Sequence, residues 1–135
     1  MTAHHDGVHW ITTAGGVVAL SLSETICHCG KCDSNTMTQR IVDLFDVLRK
    51  QLNIPLRINN GFRCAEHNKA VGGKPNSQHL YGNALDVHCP ASMSVDQLAE
   101  AMHQAGVTAC GRYYKTKFCH MDGRESTFSW TDVHV

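Results

Sequence analysis

An α+β fold is what this sequence predicts: one domain in which helices flank a single antiparallel sheet. Two observations carry that expectation. Apolar residues recur at helical spacing in two separated segments, and short alternating or β-branched runs, bounded by Gly, Pro and Asn, lie between and after them. Helices mixed with short, turn-connected strands, rather than a regular strand–helix alternation, point to α+β. In order, residues 1–14 are polar and aperiodic and read as an N-terminal arm, with residues 15–135 as one domain. GVVALSL, 16–22, reads as a short strand. Ile41, Leu44, Phe45, Leu48 and Leu52 predict an amphipathic helix over about 36–52, stopped by Asn53 and Pro55. LRIN, 56–59, alternates like a strand. AEHNKAV, 65–71, is a short helix ending at Gly72-Gly73, and ALDVH, 84–88, is strand-like. Ser94 with Gln97 has capping-box spacing, Leu98, Ala101 and Met102 supply an apolar face, and Gly106 ends that helix. KFCHMD, 117–122, and FSWTDV, 128–133, read as closing strands.

Composition narrows the function classes. The chain has 135 residues, enough to bury a core without disulfide staples. Twelve basic residues balance twelve acidic ones, which argues against nucleic-acid binding. No apolar run approaches the roughly 18 residues of a membrane span, so no membrane partner is expected, and a monomer is. The N-terminus MTAHHDGVHW lacks a basic segment followed by an apolar one, so no signal peptide is visible. The protein is expected to be made in the cytoplasm and to act outside it only if released. Ten His and seven Cys are unusual for this length. An odd cysteine number cannot pair completely within one chain, so metal binding or reduced thiols are expected over a disulfide framework.

SQHLYGNALD, 77–86, places His79 and Asp86 seven residues apart across Gly82, and CHMD, 119–122, supplies His120 and Asp122. Two neutral imidazoles and one carboxylate, from His79, Asp86 and His120, can hold Zn²⁺ and leave a fourth position for water. The spacing is not the i, i+4 of a helical zinc motif; it fits a loop that turns at Gly82 and feeds a strand carrying Asp86. His88 shares a strand face with Asp86 and is a rival ligand, whereas His134 reads as exposed. Asp122, two residues beyond His120, shares its strand face. It can orient a ligand or act as general base. HMD also matches half of a non-haem iron facial triad, but His134 is the sole His downstream. Cys27, Cys29 and Cys32 in CHCGKC have knuckle-like spacing, and with Cys64 can form a second, structural zinc site; free thiols or a disulfide are the alternatives. Cys89, Cys110 and Cys119 sit in apolar, strand-like positions and read as core.

SQHLYGNALD resembles the SxHxxGxAxD signature of zinc D-Ala-D-Ala carboxypeptidases and their relatives, a group that includes the Hedgehog fold. Upstream, INNGFRCAEHNKAVGGKPNSQH resembles that family's INSGYR segment and VGG turn. Downstream, GRYYKTKFCHMDGR resembles the GRYP…FVHVD ending of the HxD branch, and LSETICHCGKC an N-terminal cysteine-bearing segment common there. The resemblance covers about residues 20–130 in the right order. It implies that 15–135 is a zinc peptidase domain with His79, Asp86 and His120 as ligands. It implies that Arg63 holds the scissile carbonyl or a substrate carboxylate, and that Ser77 either binds substrate or pins the His79 loop. Many relatives carry an acidic base three residues before the last His; here that residue is Lys117. Asp122 is then the expected base, with Glu66 next. The implied function is hydrolysis of peptide bonds in peptidoglycan stem peptides or cross-links by a zinc-activated water, as carboxypeptidase or endopeptidase, in a phage lysin (endolysin) or a host enzyme degrading the cell wall, acting at the wall or in the periplasm. The alternative is a non-catalytic, zinc-stabilised binding domain of the same fold.

Overall fold

The computed structural model describes residues 4–5, 10–13, 18–32 and 36–131. Three strands come first: β1 (His4–His5), β2 (Trp10–Thr12) and β3 (Val18–Ser21). Helices α1 (Leu22–Thr25) and α2 (Gln39–Leu52) follow, then β4 (Ile58–Asn60), α3 (Ala65–Ala70), a 3-10 helix (Gln78–Tyr81) and β5 (Ala84–His88). Helix α4 (Val95–Gln104) precedes β6 (Ala109–Tyr113), β7 (Phe118–Asp122) and β8 (Phe128–Thr131). The central sheet has the order β4-β5-β7-β6-β8, and β1-β2-β3 form a separate small sheet. The central pairings are antiparallel except that β8 runs parallel to β6, so the expected antiparallel sheet is mixed at one edge.

Two departures from the sequence reading have physical reasons. Residues 10–12, expected within an aperiodic arm, pair with β3, and Ile11 is buried in the core; Trp-Ile-Thr is a strand-forming triplet too short to show periodicity. Helix α2 begins at Gln39 because Thr38 is its N-cap, its Oγ1 accepting the Ile41 N–H at 3.3 Å. It ends as expected at Asn53, left-handed at φ 51°, whose N–H reaches the Arg49 carbonyl at 2.9 Å. Gly16 and Val17 of the first expected strand, Asp132 and Val133 of the last, and His134 lie outside the described residues.

Both halves of the Ser94–Gln97 capping box are made, at 2.8 and 3.0 Å. Helices α2 and α4 pack Ile41, Val42, Phe45, Leu48, Leu98 and Met102 against Leu85 and Val87 of β5 and Met121 of β7, all buried. Burying each such side chain stabilises by about 1.5–3 kcal/mol. Because strand residues alternate faces, seating Leu85, Val87, Cys119 and Met121 in this core turns Asp86, His120 and Asp122 to the opposite face. The core fixes the register, and the register fixes the site.

Candidate metal centre

One row of residues crosses the central sheet on the face away from the helices. Asn60 is opposite Asp86, Asp86 opposite His120, His120 opposite Gly111, and Gly111 opposite Trp130. Opposed residues on one face are neighbours, so the row is a chain of contacts. Asn60 Nδ2 donates to Asp86 Oδ2 at 3.1 Å, and Asp86 Oδ1 lies 2.9 Å from His120 Nδ1. Gly111 has no side chain in the way: a Cβ there would collide with the Trp130 ring. The indole can therefore reach across, its centroid 4.9 Å from that of His120.

His79 joins the row from the 3-10 helix. Ser77 caps that turn, its Oγ accepting the His79 N–H at 3.3 Å, and Gly82 closes it in the left-handed region at φ 66°. A Cβ on Gly82 would collide with the Thr36 carbonyl, so two constraints favour glycine there. His79 Nδ1 lies 2.7 Å from the Gly61 carbonyl. A carbonyl only accepts, so Nδ1 carries the proton and Nε2 faces Asp86 Oδ2, 3.2 Å away. Ligand atoms of His79, Asp86 and His120 all lie within 4.8 Å of one another, and the three residues are 3, 5 and 8% exposed.

The charges explain why a cation suits this spot. Burial pushes the Asp86 carboxyl up, but hydrogen bonds from His120 and His79 outweigh it and hold it well below the usual carboxylate range. Burial likewise disfavours a charged His120, yet carboxylates at both ring nitrogens raise its pKa to about 9. Each nitrogen facing a carboxylate oxygen needs a proton or a metal cation. Asp122 occupies Nε2 at 2.9 Å, which leaves Nδ1 toward Asp86 and His79. A histidine with one nitrogen toward the ion and the other on a carboxylate or carbonyl is the usual arrangement of metal ligands, and both histidines have it. The donor set, two imidazoles and a carboxylate, fits Zn²⁺ with one position open.

Asp122 does not sit where a base on the open side of the centre would. It is fully buried beyond the far nitrogen of His120. Its Oδ1 accepts from Arg124 Nε at 2.9 Å and the Arg124 backbone N–H at 3.2 Å, and its Oδ2 from Arg124 Nη2 at 2.8 Å. Despite burial, His120 and Arg124 keep it below the ordinary carboxylate range. Asp122, the expected base, thus touches the His120 ring nitrogen turned away from Asp86 and is held there by Arg124. Glu66 is also outside the cluster, ion-paired at the surface with Lys31 at 3.0 Å. Lys117 is exposed in the β6–β7 turn at φ 56°. His88, the rival ligand, is opposite Phe118 at the other end of β5 and is not part of the cluster.

Arg63 is tied to the centre through its main chain, its N–H donating to the His79 carbonyl at 3.1 Å. Its guanidinium donates to Asn68 Oδ1 at 2.9 Å, and the buried Asn68 in turn donates to the Lys74 carbonyl. Sequence reasoning missed Asn60, the Gly61 carbonyl, Arg124 and Trp130. Only Arg124 had a visible signal, sharing with Asp122 the alternation that links Asp122 to His120.

The cysteines divide as expected. Cys119, behind His120, points into the core, its Sγ–H directed to the Val95 carbonyl, and Cys89 and Cys110 are buried. Cys27, Cys29, Cys32 and Cys64 converge, their sulfurs all within 4.8 Å of one another.

A model of the peptidase M15 family matches residues 18–122. The zinc D-Ala-D-Ala carboxypeptidase of Streptomyces albus G is 41% identical over 54 residues, 40% of this chain and 21% of that protein. The match thus spans about a fifth of the relative's length.

Proposed function

We propose that this chain, which belongs to the peptidase M15 family, is a zinc-dependent hydrolase of peptide bonds in peptidoglycan stem peptides or cross-links. The observation that carries the reading is the convergence of His79, Asp86 and His120 on one buried point, within a chain of that family. The substrate class follows the similar enzyme of Streptomyces albus G, a zinc D-Ala-D-Ala carboxypeptidase.

His79 Nε2, an Asp86 oxygen and His120 Nδ1 would hold the ion. Zinc, when bound, supplies an acidified water and polarises the scissile carbonyl. The protein's own groups keep that arrangement in register. The Gly61 carbonyl holds the proton on His79 Nδ1, and Asp122, gripped by Arg124, holds it on His120 Nε2. Asn60 steadies Asp86. Arg63 is the cation for a substrate carboxylate or developing oxyanion, and leaves Asn68 to do so. Ser77 serves by pinning the His79 loop. The four converging cysteines are read as ligands of a second, structural zinc.

Zinc-loaded protein incubated with purified muropeptides should release D-alanine or cut cross-links, seen as discrete mass losses. Unchanged masses at full zinc loading would overturn the reading. One observation favours the non-catalytic alternative: Lys117 stands at the usual acid position and Asp122 is fully engaged. Binding of intact muropeptides without mass change is its signature.

A further inference from the structure

The four-cysteine cluster lies at the root of the loop that serves the catalytic centre. Residues 61–64 follow β4 and carry the Gly61 carbonyl that orients His79, and Arg63, whose N–H meets the His79 carbonyl. On its other side this loop is fastened to the segment after α1. The Phe62 N–H donates to the Thr25 carbonyl at 2.8 Å, and the Cys64 N–H to Cys27 Sγ at 3.3 Å. A Cβ on Gly61 would lie 2.6 Å from Thr25 Cα, so the backbones are in direct contact.

The sulfurs are arranged as ligands. Cys29 Sγ accepts the N–H groups of Lys31 and Cys32 at 3.3 and 3.2 Å, the turn of a metal knuckle folded around its first sulfur. Cys64 Sγ accepts the His67 N–H at 3.4 Å. Three of the four sulfurs thus receive backbone N–H groups. A tetrahedral zinc thiolate site, with metal–sulfur distances of about 2.3 Å, has sulfur–sulfur edges of about 3.8 Å. Here the Cys29 and Cys32 sulfurs are 3.2 Å apart and all four lie within 4.8 Å of one another, so the separations bracket that edge. Four thiolates around one ion leave no open position, and all-thiolate sets select soft ions, zinc foremost.

We propose that Cys27, Cys29, Cys32 and Cys64 bind one zinc ion, releasing their four thiol protons to solvent as they do so, and that this ion clamps residues 61–64 so that Gly61 and Arg63 are positioned for the His79–Asp86–His120 centre. The clamp is a positioning device and touches no substrate. Its effect on the second centre rests on the reading of that centre as a metal site; its own metal binding does not.

The test titrates cobalt(II) into the reduced, metal-free full chain. Intense thiolate-to-cobalt charge-transfer absorption should saturate at about one equivalent. It should persist in His79→Ala and vanish in the Cys29→Ser/Cys32→Ser double variant. Amide exchange of residues 61–64 should slow when the thiolate site is filled, in wild type and in His79→Ala alike. In the double variant the affinity of the His/Asp centre should weaken by roughly 10–100-fold, the usual effect of losing ligand support. Absence of charge-transfer bands with seven free thiols, or a thiol count showing a Cys29–Cys32 disulfide, would overturn the site. Full bands with unchanged exchange of residues 61–64 would overturn the clamp. These readouts require no turnover, so they stand apart from any failure to cleave muropeptides.

Discussion

His79, Asp86 and His120 hang on two paired strands and a capped 3-10 helix, and each is held from behind by a protein group: the Gly61 carbonyl, Asn60 or Asp122. Cys27, Cys29, Cys32 and Cys64 sit on turns, and apart from buried Cys27 they are partly exposed. The first cluster offers three donors within a rigid row and leaves a coordination position open. The second offers four sulfurs, enough to close the tetrahedron of the zinc proposed there. A sheet can hold three side chains in place before any ion arrives, because the core on its reverse face has already fixed the register. Turns cannot, so a site made from them needs its ion for rigidity. Openness belongs with the preorganised scaffold, and closure with the flexible one.

The largest expected effect is His79→Ala. Hydrolysis should fall to background, while metal content drops from about two ions per chain to about one; elemental analysis of the purified variant checks this. A variant retaining both ions would remove His79 from the ligand set. Next, Arg63→Ala should lower turnover by roughly 10²–10³-fold, the cost of one oxyanion donor, with metal content unchanged. A rate within about threefold of wild type would make Arg63 structural. Asp122→Asn then separates support from proton transfer. As an orienting residue its loss should weaken zinc at the open centre by roughly 10–100-fold and leave the thiolate ion untouched. A rate loss of roughly 10²–10⁴-fold with zinc held at full affinity would restore it as the base.

Smaller effects follow from packing and charge. Gly111→Ala drives a methyl into the Trp130 ring and should destabilise by about 1–3 kcal/mol, read as a lower Tm. In the metal-free protein, His120 is raised from 6.5 to about 9. Its contribution is fully present below pH 6.5 and is lost as pH rises through about 9. The thermal midpoint of the metal-free form should therefore decline over that window. Zinc occupying Nδ1 should flatten the decline, which a pH series of melts with and without zinc would reveal.

The His79–Asp86 half of the cluster is legible in the sequence because both residues lie in one local stretch, where Gly82 announces the turn and ALDVH the strand. That His120 lies beside Asp86 is not a local fact. It arises because β7 inserts between β5 and β6, an order set by where the helices cover the sheet. Strand β6 escaped notice because Gly111 reads as a breaker; the reason for it, the Trp130 ring, is 19 positions later and arrives by a parallel pairing. Helix α1, four residues long, is too short to show a period. The role of Asp122 was left between two choices because strand alternation gives a face and not a direction along it. The placement of Arg124 and the two nitrogens of His120 supplies that direction, and the Asp122→Asn measurement separates the roles.

If the proposed function holds, hydrolysis depends on one ion in the open centre. That dependence is tested most directly by zinc added back stepwise to protein whose thiolate site is filled and whose His/Asp centre is empty, with muropeptide cleavage followed by mass. Activity should rise linearly and level off at one added equivalent per chain. Cleavage before any zinc is added, or none after the equivalent is bound, would contradict it.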